Sequence, residues 1–442
     1  MPEIEITTTG LVAGGDAIGR LPDGRAVFVA GGAPNETVRI ELIKEDKRWA
    51  KAQIAEILAP SPDRIEPEFE RPILGGATWA HIAYSAQLTA KEQIVCNALE
   101  RIGGLDNPNV RPIVASPEQW GYRNRIELTF GEADGELVLG TLKAGSDTQV
   151  ESAEGSALFG EGASPLIERV LAWARGRNSG VWKPRERRGA LRNLILRRGI
   201  HTGDLVVNLV TTSAAQVDRS LVAELQGLPV SGVLWSLNDA GSSITRFDQV
   251  AVLTGHRRLE ERVLDLDLVY DATSFFQGNV GATERLLEEL RGQMGAVDEL
   301  VDLYAGVGLL GLSAAGSDTA LTLVESNPQA VQDAKANTSA LKRLDRTTIV
   351  QADAVTYLDR ERMSSDATVI VDPPRTGLER EVINGLLRDQ PARLIYVSCD
   401  PATLARDLKL LGTAYQPTFI QPFDFFPQTP HVETLVVLQL KL

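Results

Sequence analysis

The residues best suited to chemistry lie in the last third of the chain. Gly306-Val307-Gly308-Leu309-Leu310-Gly311 follows an apolar run and opens a helical pattern, with Glu325 nineteen residues past Gly306. That spacing matches a dinucleotide fingerprint, in which glycines permit a tight turn and a later acid takes a ribose diol. Two further acids point elsewhere. Asp302 ends the apolar run before the loop, and Asp353 ends the run VQAD. A pyrophosphate would be repelled by an acid beside the loop. An aminoacyl nucleoside offers an ammonium to Asp302, a diol to Glu325 and an adenine amine to Asp353. S-adenosylmethionine is therefore the cofactor expected, with a nicotinamide dinucleotide as the alternative.

Asp372-Pro373-Pro374-Arg375 follows the run ATVIV, which places it at the carboxyl edge of a sheet, where open α/β folds bind ligands. The prolines stiffen the backbone beside a carboxylate, which suits hydrogen bonds to the edge of a planar base. The next run, RLIYV, leads into Ser398-Cys399-Asp400-Pro401. Asp400 fits a helix N-cap and Pro401 a first helical position, so Cys399 is expected against a helix N-terminus that favours its thiolate. A thiolate there has a use. Its addition to carbon 6 of uracil turns carbon 5, otherwise a poor nucleophile toward a methyl sulfonium, into an enolate carbon. A base must then take the carbon 5 proton before the cysteine leaves. Glu433, in Pro430-His431-Val432-Glu433-Thr434, is the candidate.

The elements that position these residues are legible in outline. From Asp298 onward the runs ELVDLYAG, ALTLVES, TTIVQAD, ATVIVDPP and RLIYVSCD alternate with helical patterns, as in a doubly wound parallel sheet. The final HVETLVVLQLKL reads as an antiparallel edge strand closing that sheet. Residues 1–60 alternate short β-branched runs with glycine turns, predicting an OB-like β-barrel. PSPDRIEPEFERP, from Pro60 to Pro72, reads as a linker, and the periodicity predicts a helix over 83–105. Strands mixed with a helix near SPLIERVLAWARG make 61–270 a central α+β domain, leaving 271–442 as the catalytic domain.

Composition narrows the class of protein. The 442 residues carry 59 acids and 45 bases, net −14, which argues against non-specific coating of nucleic acid. Residues 181–200, VWKPRERRGALRNLILRRGI, run against this trend with seven bases and one acid, a candidate phosphate-binding surface that includes Arg187, Arg188 and Arg192. The barrel, with seven bases and nine acids, would need stacking by Phe28 and backbone hydrogen bonds to hold RNA. Two cysteines and four scattered histidines exclude a disulfide framework and CxxC or HExxH metal sites. Neither a signal peptide nor a membrane-length apolar run is present, so a cytoplasmic protein without a membrane partner is expected.

Together the segments resemble the S-adenosylmethionine-dependent RNA uracil-5-methyltransferases. The matching pieces are Ser274-Phe275-Phe276-Gln277-Gly278-Asn279, DLYAGVGLLGL, VESNPQAVQDAKAN, VDPPRTGL, VSCDPATLARDL and PHVET, in family order. The first 60 residues resemble the TRAM-type RNA-binding barrel of ribosomal members. The resemblance implies a Rossmann-like class I methyltransferase domain with Gln277, Tyr304, Gly306, Glu325, Asp353 and Asp372 around the cofactor. Phe275 would stack on the target base, with Gln277 and Asp372 also facing substrate, Cys399 would attack and Glu433 would remove the proton. The implied partner is structured RNA, 23S ribosomal RNA ahead of transfer RNA, bound by a monomer.

One departure stands out. Many relatives hold an iron–sulfur cluster on a Cys-Gly-Gly-Cys stretch before QHLxYxxQLxxK, but this chain has Leu74-Gly75-Gly76-Ala77 there. Cys96 lies away from the motif, so no cluster is expected, and apolar contacts through Leu74 and Trp79 are expected to fold the segment instead. Two rivals remain: an amino-directed base methyltransferase, needing neither Cys399 nor Glu433, and an RNA-folding factor whose methylation is incidental.

Overall fold

The computed structural model describes residues 4–441 except 68–75, 144–145, 147–148, 153–156, 161, 178, 216–218 and 242–246. Leu74 thus lies outside the described residues. Strands β1 (Ile4–Leu11), β2 (Ala17–Arg20), β3 (Ala26–Ala30), β4 (Thr37–Glu45) and β5 (Trp49–Ala59) close into a barrel in the order β1-β2-β3-β5-β4. Alternate residues such as Ile6, Val27, Val29, Val38 and Ile40 point inward and fill it, as the two-residue period of a strand requires.

Helix α1 (Tyr84–Arg101) joins two cores. Its Ala90 and Ile94 pack with Trp79 and Ile82 on barrel residues Leu11 and Ala17. Its Val95 and Leu99 join Leu404 and Leu408 in the core of the C-terminal sheet.

The middle of the chain forms β6 (Arg125–Ala133), β7 (Glu136–Leu142), β8 (Val150–Ser152), α2 (Ala163–Arg175), β9 (Leu191–Arg198), β10 (Leu205–Thr211), α3 (Ser220–Glu224), β11 (Gly232–Leu237) and β12 (Gln249–Gly255). The sheet order is β12-β11-β10-β9-β6-β7-β8. One face buries Leu194, Leu196 and Val207 against Leu166, Ile167 and Val170 of α2. A hairpin of β13 (Arg258–Val263) and β14 (Leu266–Asp271) leads into the last region.

Because β9 is covered on both faces, the basic run behaves differently from the expected surface. Arg192 is buried, donates to the carbonyl oxygens of Asn238 and Ala240, and lies over the Trp182 ring. Arg197 is buried over Tyr270, and Arg198 lies half-buried over Phe159. The exposed positive charge contracts to Arg185, Arg187 and Arg188 with half-buried Lys183.

The C-terminal region comprises α4 (Val280–Met294), β15 (Glu299–Asp302), α5 (Leu309–Ala314), β16 (Ala320–Glu325), α6 (Pro328–Ala340), β17 (Thr347–Gln351), α7 (Ala354–Arg360), β18 (Thr368–Val371), α8 (Arg380–Asp389), β19 (Arg393–Ser398), α9 (Pro401–Leu411), β20 (Tyr415–Phe423) and β21 (Glu433–Leu440). Its order is β17-β16-β15-β18-β19-β21-β20, parallel from β17 to β19 and antiparallel through β21 and β20. The final strand is not the edge strand the sequence predicts. β21 is buried from Glu433 to Leu438 and lies between β19 and β20, whereas β20 carries Pro417 and Pro422 and takes the edge, where a strand tolerates missing N–H donors. Among the described residues no helix is long and apolar enough to cross a membrane.

Candidate active site

Strand register gathers the sequence-predicted residues along one edge. Gln351 of β17 stands opposite Glu325 of β16, Asp302 of β15 lies between Leu323 and Ile370, and Val371 of β18 faces Tyr396 of β19. Each parallel strand therefore ends at the same level, so Asp353, Glu325, Tyr304, Asp372 and Cys399 all fall on the carboxyl edge. β21 runs the opposite way, and its first residue reaches that edge. Ser398, the residue before Cys399, pairs with Thr434, the residue after Glu433, and the Glu433 charge is felt at the Cys399 thiol.

On the cofactor side, Gly306 and Gly308 take positive φ of 55° and 90°, and a Cβ on Gly308 would lie 2.8 Å from Leu312. Only glycine suits that turn. Glu325 receives the Gly306 N–H at 2.9 Å and the Asn327 N–H at 2.6 Å, fixing the loop to the end of β16. Asp302 closes β15, as the sequence leads one to expect. It is fully buried beneath the loop, and its Oδ2 accepts the Gly311 N–H at 2.9 Å. Asp353 is an exposed N-cap of α7 whose two oxygens accept from the N–H and hydroxyl of Thr356.

Gln277, Tyr304, Gly306 and Asp372 line one cleft with Phe275. The Gln277 amide donates to Asp372 Oδ2 at 3.2 Å, and the Tyr304 hydroxyl donates to Glu379 at 2.7 Å. Phe275 is 67% exposed at the mouth, whereas Phe276 stacks on Tyr270 with ring centroids 4.3 Å apart. This split makes Phe276 the anchor and leaves Phe275 available for stacking. Arg197 donates to the carbonyl oxygens of Ala272 and Ser274, and Asn124 donates to that of Gln277 at 2.8 Å. Both therefore hold the loop that carries Phe275 and Gln277. Neither role was visible in the sequence, where Arg197 counts only as one base in a basic run.

Buried carboxyls dominate the electrostatics. Burial raises Asp302 and Asp372 to about 7, with the Asp372 charge adding to the rise at Asp302. Burial, then the Asp372 charge, pushes Glu433 well above the usual carboxylate range, against a smaller opposite pull from Arg375. Cys399 overturns its own expectation. Asp400 does cap α9, accepting the N–H groups of Ala402 and Thr403, yet the thiol is raised to about 11 by burial, then by Glu433 and Asp372. Desolvation and two carboxylates outweigh the helix N-terminus. His431 is lowered to about 4 by burial and by the charges of Arg375, Lys91 and Arg123, and so is neutral at pH 7.

The donor set fits a cationic methyl donor. Asp302 Oδ1 has no hydrogen-bond partner among the described residues, and carboxyls held short of ionisation gain from a positive charge brought beside them. A model of the tRNA (uracil-5-)-methyltransferase family matches residues 256–441. An uncharacterised RNA methyltransferase of Thermosynechococcus vestitus is 35% identical over 98% of this chain and 97% of the relative. The chain belongs to the S-adenosylmethionine-dependent RNA uracil-5-methyltransferase family. Another relative, an uncharacterised RNA methyltransferase of Listeria monocytogenes, is 33% identical over 94% of this chain and 92% of its own. The structure resembles that of the Pyrococcus abyssi tRNA (uracil-54, C5)-methyltransferase in complex with S-adenosyl-L-homocysteine. That match has a TM-score of 0.78 and 27% identity, over 98% of this chain and 99% of the other. This RNA methyltransferase accordingly uses S-adenosylmethionine as its cofactor.

Proposed function

We propose that the enzyme makes 5-methyluridine in structured RNA, with 23S ribosomal RNA as the substrate, Cys399 as nucleophile and Glu433 as base. The observation that supports this reading is that β21 runs antiparallel beside β19, with Ser398 paired to Thr434, and that the Glu433 charge is felt at Cys399 and the Asp372 charge at both. Gly306, Glu325 and Asp353 at the sheet edge, with Gln277, Tyr304 and Asp372 in the cleft, would hold S-adenosylmethionine, which when bound supplies an electrophilic methyl group. The remaining steps belong to the chain. Cys399 gives its proton to solvent water and its Sγ bonds to carbon 6, moving the ring electrons onto carbon 5. Once carbon 5 carries the methyl group, the Glu433 carboxylate takes its proton. The C–H electrons re-form the carbon 5–carbon 6 double bond, and the C–S pair leaves with Cys399.

Phe275 stacks on the target uracil once it is flipped out, offsetting part of an unstacking cost of a few kcal/mol. The barrel acts as a TRAM-type RNA-binding module, which supports ribosomal RNA. A second reading, transfer RNA, is favoured by the Pyrococcus abyssi match, because that alignment spans the barrel too. Mapping 5-methyluridine in total RNA from a deletion strain separates them: a lost site in 23S RNA supports the first, and a lost site in transfer RNA alone refutes it. For the chemistry, Glu433→Gln should accumulate a denaturant-resistant protein–RNA band carrying label from the methyl donor. Cys399→Ala and the double variant should give none. Full methylation by Cys399→Ala would refute the uracil-5 mechanism.

A further inference from the structure

Glu433 opens β21, and the nine residues before it, from Asp424 to Val432, form the turn that delivers it to the sheet edge. Their anchorage comes from far away in sequence. Lys91 Nζ donates to Asp424 Oδ1 at 2.5 Å and to the Phe426 carbonyl oxygen at 2.9 Å. Gln87, one helical turn earlier on the same face of α1, exchanges two bonds with Gln428. The Gln87 amide donates to the Gln428 side-chain oxygen at 2.8 Å, and the Gln428 N–H donates back to Gln87 at 2.9 Å. The Trp79 N–H donates to the Gln428 carbonyl oxygen at 2.9 Å. The Tyr122 hydroxyl donates to that of Pro427 at 3.1 Å, and Asn279 donates to that of Phe425 at 3.1 Å.

This is an expensive way to secure a turn. Lys91, Asp424 and Gln87 are fully buried and Gln428 nearly so. A buried ion pair rarely improves on well-packed apolar residues of the same volume, because both charges must be taken out of water. What such a pair provides is direction, since its hydrogen bonds are satisfied in only one arrangement of the turn. Gln87 and Lys91 stand four residues apart, so α1 presents both donors to the turn as one rigid unit. The turn itself is stiffened by Pro427 and Pro430, and Gln428 between them holds a φ of 67°.

We propose that Lys91 and Gln87 are positioning residues for the methyl transfer reaction, clamping the 424–432 turn so that Glu433 meets the carbon 5 proton. The inference rests on Glu433 being the base, as proposed above. It assigns a catalytic consequence to a helix that lies outside the C-terminal sheet. Its signature is a late block. A displaced Glu433 leaves nucleophilic attack and methyl delivery intact but slows proton removal, so the methylated RNA should remain attached to Cys399.

Full-length Lys91→Met, Gln87→Ala and Glu433→Gln proteins, incubated with methyl-labelled S-adenosylmethionine and total RNA from a strain lacking the enzyme, test this. Lys91→Met leaves Asp424 buried without its cation and is at risk of misfolding, whereas Gln87→Ala removes no charge, only the side chain's hydrogen bonds to Gln428, Trp79 and Ile82. For each folded variant, kcat should fall about 10–100-fold with the KM for S-adenosylmethionine changed less than about twofold, as for a misplaced catalytic group. The covalent methylated band should rise well above the wild-type level. Full activity in a folded Gln87→Ala protein overturns the clamp, as does a fall in kcat without the covalent band while Glu433→Gln accumulates it. Absence of the band from Glu433→Gln instead removes the base assignment, and the clamp falls with it.

Discussion

Cys399 should behave as a poorly reactive thiol in the free enzyme. Its pKa of about 11 instead of 9.0 cuts the thiolate fraction at pH 8 from about one in ten to about one in a thousand. A more basic thiolate is also a better nucleophile. With a Brønsted coefficient of about 0.45, two pKa units return nearly tenfold, leaving alkylation roughly tenfold slower than that of an ordinary thiol. The assay is iodoacetamide alkylation of a Cys96→Ala protein, which leaves Cys399 as the single cysteine, followed by mass spectrometry from pH 7 to 10.5. The rate should climb about tenfold per pH unit across most of that range without reaching a plateau. Glu433→Gln removes the larger of the two charges that raise the thiol, so its midpoint should move down. Arg375→Ala removes the charge that opposes them, so its midpoint should move up. A plateau reached below pH 8.5, or a midpoint indifferent to Glu433→Gln, would refute the reasoning and return control of this thiol to the N-terminus of α9.

Asp302 is raised from 3.8 to about 7, so the folded protein holds a proton there that the unfolded chain releases. The associated stability is complete below pH 3.8 and is lost as pH rises to about 7, by at most roughly 4 kcal/mol. Asp302→Asn, which keeps an acceptor for the Gly311 N–H, should therefore gain on wild type between pH 5 and pH 8 in urea melts, and an unchanging difference would contradict the assignment. Reversing Arg185, Arg187 and Arg188 to Glu should weaken RNA binding and flatten its salt dependence by about one slope unit for each phosphate no longer neutralised. Unaltered salt dependence would show that this surface faces away from RNA. Purified anaerobically, the protein should hold no stoichiometric iron, and about four irons per chain would overturn that expectation.

Much of the site can be read from the chain because its signals are local. A glycine turn between a strand and a helix, a proline pair after a strand, and Asp400-Pro401 at a helix start each express backbone geometry within a few residues. They were enough to place Gly306, Asp372 and Cys399 on one sheet edge. The barrel and the alternating α/β pattern are similarly short-range, since period two and period 3.6 are properties of single elements.

What the chain could not express is which elements lie side by side. The segment HVETLVVLQLKL reads as an edge strand and does not say that β21 inserts between β19 and β20, an insertion that brings the start of β21 beside the end of β19. The arginines of β9 read as surface charge because a basic run usually is, until a second layer covers the strand and turns Arg192 and Arg197 inward. Lys91 and Asp424 are separated by 333 residues, and no spacing rule links them. The protonation of Cys399 shows the physical reason most directly. Its helix terminus is encoded two residues away, whereas the desolvation and the carboxylates that override it come from neighbouring strands and depend on distances set only when the sheet assembles.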